Sequence, residues 1–207
     1  MDPLIRLLRS SPWARRGLSL LSVVLLGAAV GLLAYPVYTN MYSSRQQSKL
    51  DRQIASPALK QAYQDRAVDV GDALTRIRIP ALDVDAVVVE GISASALRAG
   101  AGHYPDSPLP CEPGNVAIAG HRTTYGKPFA NLDRLKAGDE IVLETPVGEC
   151  RYEVMPLSSN VAFKVVEPTD FSVVANTPGR QLLTLTTCHP KGSAKERLII
   201  QARLKTS

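Results

Sequence analysis

Histidine, cysteine and aromatic residues are all scarce in this chain: three histidines, three cysteines and 5% aromatics in 207 residues. The histidines, His103, His121 and His189, are widely separated, and neither a CxxC nor an HxxxH pattern occurs. No zinc-type ligand set is therefore spelled out, and no metal or cofactor is expected. Few aromatic side chains also means few platforms for stacking bases. The excess of positive charge does not repair that deficit. The formal net charge is +5, yet residues 1–16 hold Arg6, Arg9, Arg15 and Arg16 against Asp2, while residues 75–207 carry 15 basic and 14 acidic side chains, a net +1. A nearly neutral folded part cannot neutralise a phosphate backbone, so no nucleic-acid partner is expected. Internal repeats and low-complexity tracts are absent too, which excludes a solenoid.

Charge is missing altogether from Gly17 to Ser44. The run "LSLLSVVLLGAAVGLLAYPVY" (Leu18 to Tyr38) is long enough as a helix to cross a hydrocarbon core, which needs about 20 residues. Four arginines precede it and Tyr35, Tyr38 and Tyr42 follow it. The positive-inside bias and the aromatic belt then agree on a single-pass anchor with its N-terminus in the cytoplasm and the rest of the chain outside. A cleaved signal peptide fits less well, because the apolar run is too long for one and "AYPVYTN" offers no good small-x-small site. The expected organisation is a cytoplasmic basic tail (1–16), a transmembrane anchor (17–40), a linker or stalk (41–73) and a β-barrel domain (74–207).

Residues 44–73 are polar and alternate in charge, which reads as a helical stalk or a flexible tether without the apolar face needed for a core. From Leu74 the texture changes. "TRIRIPALDVDAVVVEG" alternates apolar and polar positions with β-branched residues, the signature of strands. A Pro- and Gly-rich loop is expected over Gly100 to Asn115. Beyond it come the apolar "VAIAGH", a hairpin-like pair around Pro146 to Gly148, and two late apolar runs ending the chain. Short helical turns are expected within 127–135 and 168–174. Many short strands divided by turn signals predict an all-β barrel or sandwich of about 130 residues.

Side-chain parity singles out the chemistry, because alternate residues of a strand face opposite sides of a sheet. In "LLTLTTC", Leu183 and Leu185 share a face with Thr187, whereas Thr184 and Thr186 share the other with Cys188. In "RLIIQARL", Leu198, Ile200, Ala202 and Leu204 form an unbroken apolar face, which leaves Arg197 on the opposite one. The eight residues "HPKGSAKE" between Cys188 and Arg197 suit a loop joining antiparallel neighbours, so a thiol and a guanidinium are predicted to share one rim. The same parity in "NVAIAGH" sends Val116 and Ile118 to the core and His121 to the rim side. His103 lies in the Pro-rich loop, and the side chain of His189 diverges from that of Cys188, so His121 is the best acid or base of the three. Nothing in the pattern itself brings His121 to Cys188.

The strings "TLTTC", the arginine nine positions later in "ERLIIQARL", and "NVAIAGHRTTYG" together resemble the sortases, membrane-anchored cysteine transpeptidases of Gram-positive bacteria. "GHYP", "AGHRTTYG" and "TLTTCHP" are similar to strings of the class E branch of actinobacteria, with class D the nearest competitor. The resemblance covers most of residues 75–205. It implies an eight-stranded β-barrel in which Cys188 is the nucleophile, His121 the general acid/base and Arg197 the stabiliser of the developing oxyanion. It also implies cleavage of a Thr–Gly bond in a C-terminal LAxTG- or LPxTG-type sorting signal on a secreted protein, and transfer of the acyl group to an amine of a cell-wall precursor. Tyr125 stands where class E has a tyrosine linked to the preference for alanine in the signal, and Thr187 precedes the nucleophile as in the family; both are expected to bind substrate. A surface cysteine hydrolase and a non-enzymatic envelope-binding domain are the rival functions.

Cys111 and Cys150 depart from the family pattern. Outside the cytoplasm two spare cysteines suggest a disulfide that leaves Cys188 free, with two unpaired thiols as the alternative.

Overall fold

The computed structural model describes residues 12–157 and 161–205. Most of the basic tail thus lies outside the described residues. The chain divides into two units, Met1–Thr39 and Asn40–Ser207. Helix α1 (Pro12–Ile54) runs through the described part of the first unit, and its residues from Asn40 on belong to the second. Its most apolar 18-residue window has a mean hydropathy of 2.3 and is entirely unburied. It is the one helix among the described residues long and apolar enough to cross a membrane.

The second unit opens with the last turns of α1, followed by α2 (Pro57–Gln64). Ser56 caps α2, accepting from Leu59 N at 3.2 Å, and Pro57 takes the first helical position. Here the structure corrects the expectation of a stalk without an apolar face. Leu50 and Leu59 are buried with Ala73, Val87, Val89 and Ala96 in a second hydrophobic cluster, and Ile54 and Val68 pack against it. These residues are too thinly spaced to make a helical stripe. They bury because the outer wall of the barrel supplies the other half of the contact, at about 1.5 to 3 kcal/mol per buried leucine. Gln47 fastens the same helix: its Nε2 donates to the carbonyls of Val87 and Ala99 at 3.0 and 2.9 Å, and its Oε1 accepts from Val87 N at 2.7 Å.

Among the described residues nine strands follow: β1 (Ala73–Ile79), β2 (Val84–Glu90), β3 (Ala101–His103), β4 (Gly114–Ala119), β5 (Glu140–Thr145), β6 (Gly148–Val154), β7 (Phe163–Val166), β8 (Gln181–His189) and β9 (Glu196–Leu204). Eight of them run β6-β5-β1-β2-β3-β4-β8-β9 and close through a β9–β6 pairing, while β7 lies along the other stretch of β9. This is the eight-stranded closed barrel expected of the sequence, with one added short strand. Closure leaves the barrel itself without open edges. Its interior is filled by the predicted faces, including Ile77, Val116, Ile118, Leu183, Leu185, Leu198 and Ile200, none with measurable exposure.

Two pairs are parallel. A short helix α3 (Ala94–Ala99) carries the chain from β2 to β3, and a long excursion through β5–β7 separates β4 from β8. The presence of β3 corrects the reading of 100–115 as continuous loop. Glycine content hid the strand, yet Gly102 is there for packing: a Cβ on it would stand 2.3 Å from the Gly91 carbonyl oxygen. Short helical turns fall at Leu132–Arg134 and Phe171–Val173, inside the two stretches where they were expected.

Candidate active site

The rim at the end of β8 gathers the residues picked out by parity. Cys188 and Arg197 are directly opposite each other in the antiparallel β8–β9 ladder, so their side chains leave the same face of the sheet. Cys188 is partly exposed and is the one free cysteine. The Arg197 guanidinium is steadied by its own loop, with Nη1 donating to the carbonyls of Ala194 and Glu196, both at 3.0 Å. Only one of its nitrogens is so engaged, and a guanidinium carries five N–H donors in a planar fork.

His121 arrives on the other neighbour of β8. In the parallel β4–β8 register Ala119 faces Thr186, and Gly120 N donates to Thr186 O at 3.0 Å beyond the end of β4. Two residues further along come His121, in the loop after β4, and Cys188, near the end of β8. Parallel neighbours run about 4.8 Å apart, so the register brings imidazole and thiol to one end of the barrel. Gly120 is required at this crossing, because a Cβ would press within 2.5 Å of the Phe129 ring that underlies the loop. Burial, and secondarily the positive charge of Arg98, hold the imidazole of half-buried His121 below its ordinary pKa.

Tyr125, at a left-handed φ of 49°, tilts its ring against His121 with centroids 5.4 Å apart, and Arg98 lies over its face at 5.9 Å. Tyr42 of α1 meets the Tyr125 ring edge-on at 6.1 Å. Thr187 departs from its expected place at the substrate. Its side chain is buried at 3% exposure and its hydroxyl donates to Gly120 O at 2.8 Å, which ties β8 to the His121 loop from the inside. The outward neighbour Thr186 borders the groove instead, its Oγ1 3.1 Å from the Tyr104 hydroxyl. A narrow cleft beside Arg197 is lined by Tyr104, Val166, Phe171, Val173, Thr186 and Ile199. A wider cavity of about 380 Å³ opens on the far side of Tyr125, near Gln47, Asp83 and Asn131, and contains none of the three rim residues.

The other two histidines are accounted for separately. His103 sits on β3, almost fully buried, with Nδ1 2.8 Å from Glu90 and Nε2 2.9 Å from both the Pro108 carbonyl and Ser107 Oγ. His189 turns its Nδ1 toward Arg122 at 2.8 Å. Arg122 itself escaped the sequence reading, since an arginine beside a histidine in a loop gives no sign of being buried. Cys111 and Cys150 are bridged, with Cα atoms 5.6 Å apart, on the β6 side of the barrel. Among the described residues no group of His, Cys, Asp and Glu is arranged to hold a metal.

A closed β-barrel with a free thiol, an imidazole and a guanidinium on one rim has the parts for acyl transfer through sulfur: nucleophile, proton carrier and fixed positive charge. The chain belongs to the sortase family, whose domain model matches residues 77–205. It is similar to sortase SrtE1 of Streptomyces coelicolor, at 34% identity over 65% of this chain and 41% of that protein. It is equally similar to sortase D of Bacillus subtilis, at 34% identity over 67% of each chain. Among solved structures, the sortase D5 transpeptidase of Clostridium perfringens superposes with a TM-score of 0.67 at 26% identity, covering 80% of this chain and 99% of that one. The chain thus spans less than half the length of SrtE1 and two thirds of sortase D.

Proposed function

We propose that this protein is a membrane-anchored cysteine transpeptidase that cuts the Thr–Gly bond of a C-terminal sorting signal and passes the acyl group to an amine of a cell-wall precursor. The observation that supports the reading is the register: Cys188 lies opposite Arg197 in the β8–β9 ladder, and the parallel β4–β8 ladder, which ends at Ala119 and Thr186, leads the chain to His121 at the same end of the barrel. Helix α1 serves as the anchor, with the arginine-rich end in the cytoplasm and the barrel outside.

The Cys188 thiolate attacks the threonine carbonyl, and the oxyanion that forms takes the free N–H groups of Arg197. The tetrahedral centre collapses as imidazolium His121 gives its proton to the departing amine, leaving a thioester on Cys188 and neutral His121. An incoming amine attacks the thioester. Its proton returns to His121 and the thiolate leaves, which restores the starting pair. Water is the competing nucleophile, and an exposed rim does not exclude it, so transfer over hydrolysis depends on how well the amine is held. The cleft beside Arg197, with apolar Val166, Val173 and Ile199 and two-thirds exposed Phe171 at its edge, suits the apolar first residue of the signal. Tyr125, stacked against His121, is the residue assigned to the preference for alanine over proline in an LAxTG-type signal.

Mass spectrometry of the full-length chain in detergent, incubated with LAxTG and LPxTG peptides with and without a primary amine, tests this. A mass increase on Cys188 equal to the peptide up to threonine, converted to an amide product only when amine is added, is expected, with LAxTG the better substrate. Preference for LPxTG would favour the class D alternative. Product formation by Cys188→Ala, or hydrolysis unaffected by amine, would refute the transfer mechanism.

A further inference from the structure

Arg122 follows His121 in the chain and is only 4% exposed, an uncommon state for an arginine unless it is fully paired. Its pairing is lopsided. Its ion-pair partner among the described residues, Asp133 in the Leu132–Arg134 turn, lies 3.2 Å from Nη2 but without the alignment of a hydrogen bond, and is itself one-third exposed. Nε has no partner among the described residues. The firm contacts all point to the end of β8: Nη1 donates to the Cys188 carbonyl at 3.2 Å and to His189 Nδ1 at 2.8 Å.

A buried cation paired this loosely costs stability relative to an apolar side chain of similar volume. What it supplies is a cross-link. The backbone of Arg122 is continuous with His121, and its guanidinium grips the backbone of Cys188. One side chain therefore ties the imidazole-bearing loop to the thiol-bearing strand at the level where no β4–β8 ladder bond remains. His189 completes the grip from the residue just past Cys188. Arginine can only donate, so His189 Nδ1 is the acceptor in this contact.

We propose that Arg122 is a positioning residue, which ties the end of β8 to the His121 loop and so holds the Cys188 thiol in place for its reaction. The inference rests on reading Cys188 as the nucleophile, and its test separates the two. Full-length protein in detergent is compared with Arg122→Met, Arg122→Lys, His189→Leu and His189→Asn. Three readouts are taken: kcat and KM for an LAxTG peptide with amine, thermal unfolding, and the rate at which iodoacetamide alkylates Cys188.

Loss of a position-setting contact typically costs about 10- to 100-fold, so Arg122→Met is expected to lower kcat by that factor with KM within about twofold of the parent, and to slow alkylation about tenfold. Arg122→Lys recovers little, since one ammonium cannot reach both partners on β8 and Asp133. His189→Leu lowers kcat about tenfold, whereas His189→Asn, whose Oδ1 can accept from Nη1, keeps most of it. A folded Arg122→Met protein with kcat within about twofold of the parent overturns the proposal, because a merely structural arginine would lower the melting temperature alone. Should Arg122→Met not fold, the His189 pair decides: Leu and Asn variants of equal activity overturn it. If the parent turns over no peptide, the alkylation rates decide among the folded proteins. Slower alkylation in Arg122→Met or His189→Leu upholds the proposal and leaves only the substrate reading in fault; equal rates overturn it.

Discussion

Breaking the Cys111–Cys150 bridge should lower the stability of the barrel while sparing its chemistry. The bridge joins the loop after β3 to β6 across a separation of 39 residues. Chain-entropy arithmetic for a loop of that length gives about 4 kcal/mol, acting mainly by restricting the unfolded chain. For a folded unit of this size each kcal/mol moves the melting temperature by about 2 to 4 °C, so a fall of about 8 to 16 °C is expected. The substitution must avoid adding strain of its own. Cys111 has a left-handed φ of 71°, which asparagine tolerates better than other side chains, so Cys111→Asn with Cys150→Ala isolates the cross-link. Thermal unfolding of this variant is compared with the parent before and after reduction, alongside turnover at 25 °C. Because the bridge lies on the β6 side and the thiol site at the end of β8, turnover well below the melt should stay within about twofold of the parent. Thiol titration of the unreduced protein should find one free thiol, that of Cys188. A melting temperature within about 2 °C of the parent in both the variant and the reduced protein would refute the loop-closure reasoning.

Arg197→Lys keeps the charge but loses the planar fork, and acylation by the sorting peptide should fall about 10²- to 10³-fold in single-turnover measurements, the range for removing an oxyanion contact. The lowered pKa of His121, caused first by burial and then by Arg98, places the acid limb of the pH–rate profile below 6.5; Arg98→Gln removes the second cause and should move that limb upward. The same shift sets a stability slope: between the folded value and 6.5 the unfolded chain holds the extra proton, so unfolding free energy should rise with pH through that window, and His121→Gln should flatten the slope. Gln47→Ala strands the N–H and carbonyl of Val87 and should cost about 2 to 3 kcal/mol by chemical denaturation, with α1 loosened from the barrel as seen by hydrogen exchange.

Much of this protein is written in local pattern. The charge-free run from Gly17 to Ser44 specifies a membrane-length helix because lipid demands uninterrupted apolar surface, whatever lies beyond it. The faces of β8 and β9 follow from period-two alternation, so the placing of Cys188 and Arg197 together, and away from Leu183, Leu198 and Ile200, needed only the pleat and a short connection. Contacts without a periodic signature were hidden. The stretch 41–73 carries too few apolar residues to form a face of its own, and Leu50 and Leu59 bury only because β1 and β2 present Ala73, Val87 and Val89 to meet them. β3 was hidden by glycines that close packing demands, Gly102 against the Gly91 carbonyl and Gly100 against Gln47 and the Val87 carbonyl. Thr187 was read as touching substrate although its own strand parity turned it inward, where Gly120 receives its hydroxyl.

What the sequence by itself determined is a helix long and apolar enough to cross a membrane, the strand-rich barrel and the sharing of one rim by thiol and guanidinium, since each depends on residues near one another in the chain. Only the tertiary structure decided that β4 runs beside β8 and leads to His121 at the end that holds Cys188, that Arg122 is buried with its guanidinium on the Cys188 carbonyl, and that Cys111 meets Cys150. Those three pairings span long separations, and a parallel β4–β8 register reached through a long excursion is fixed by the closure of the whole barrel and by no short segment of it.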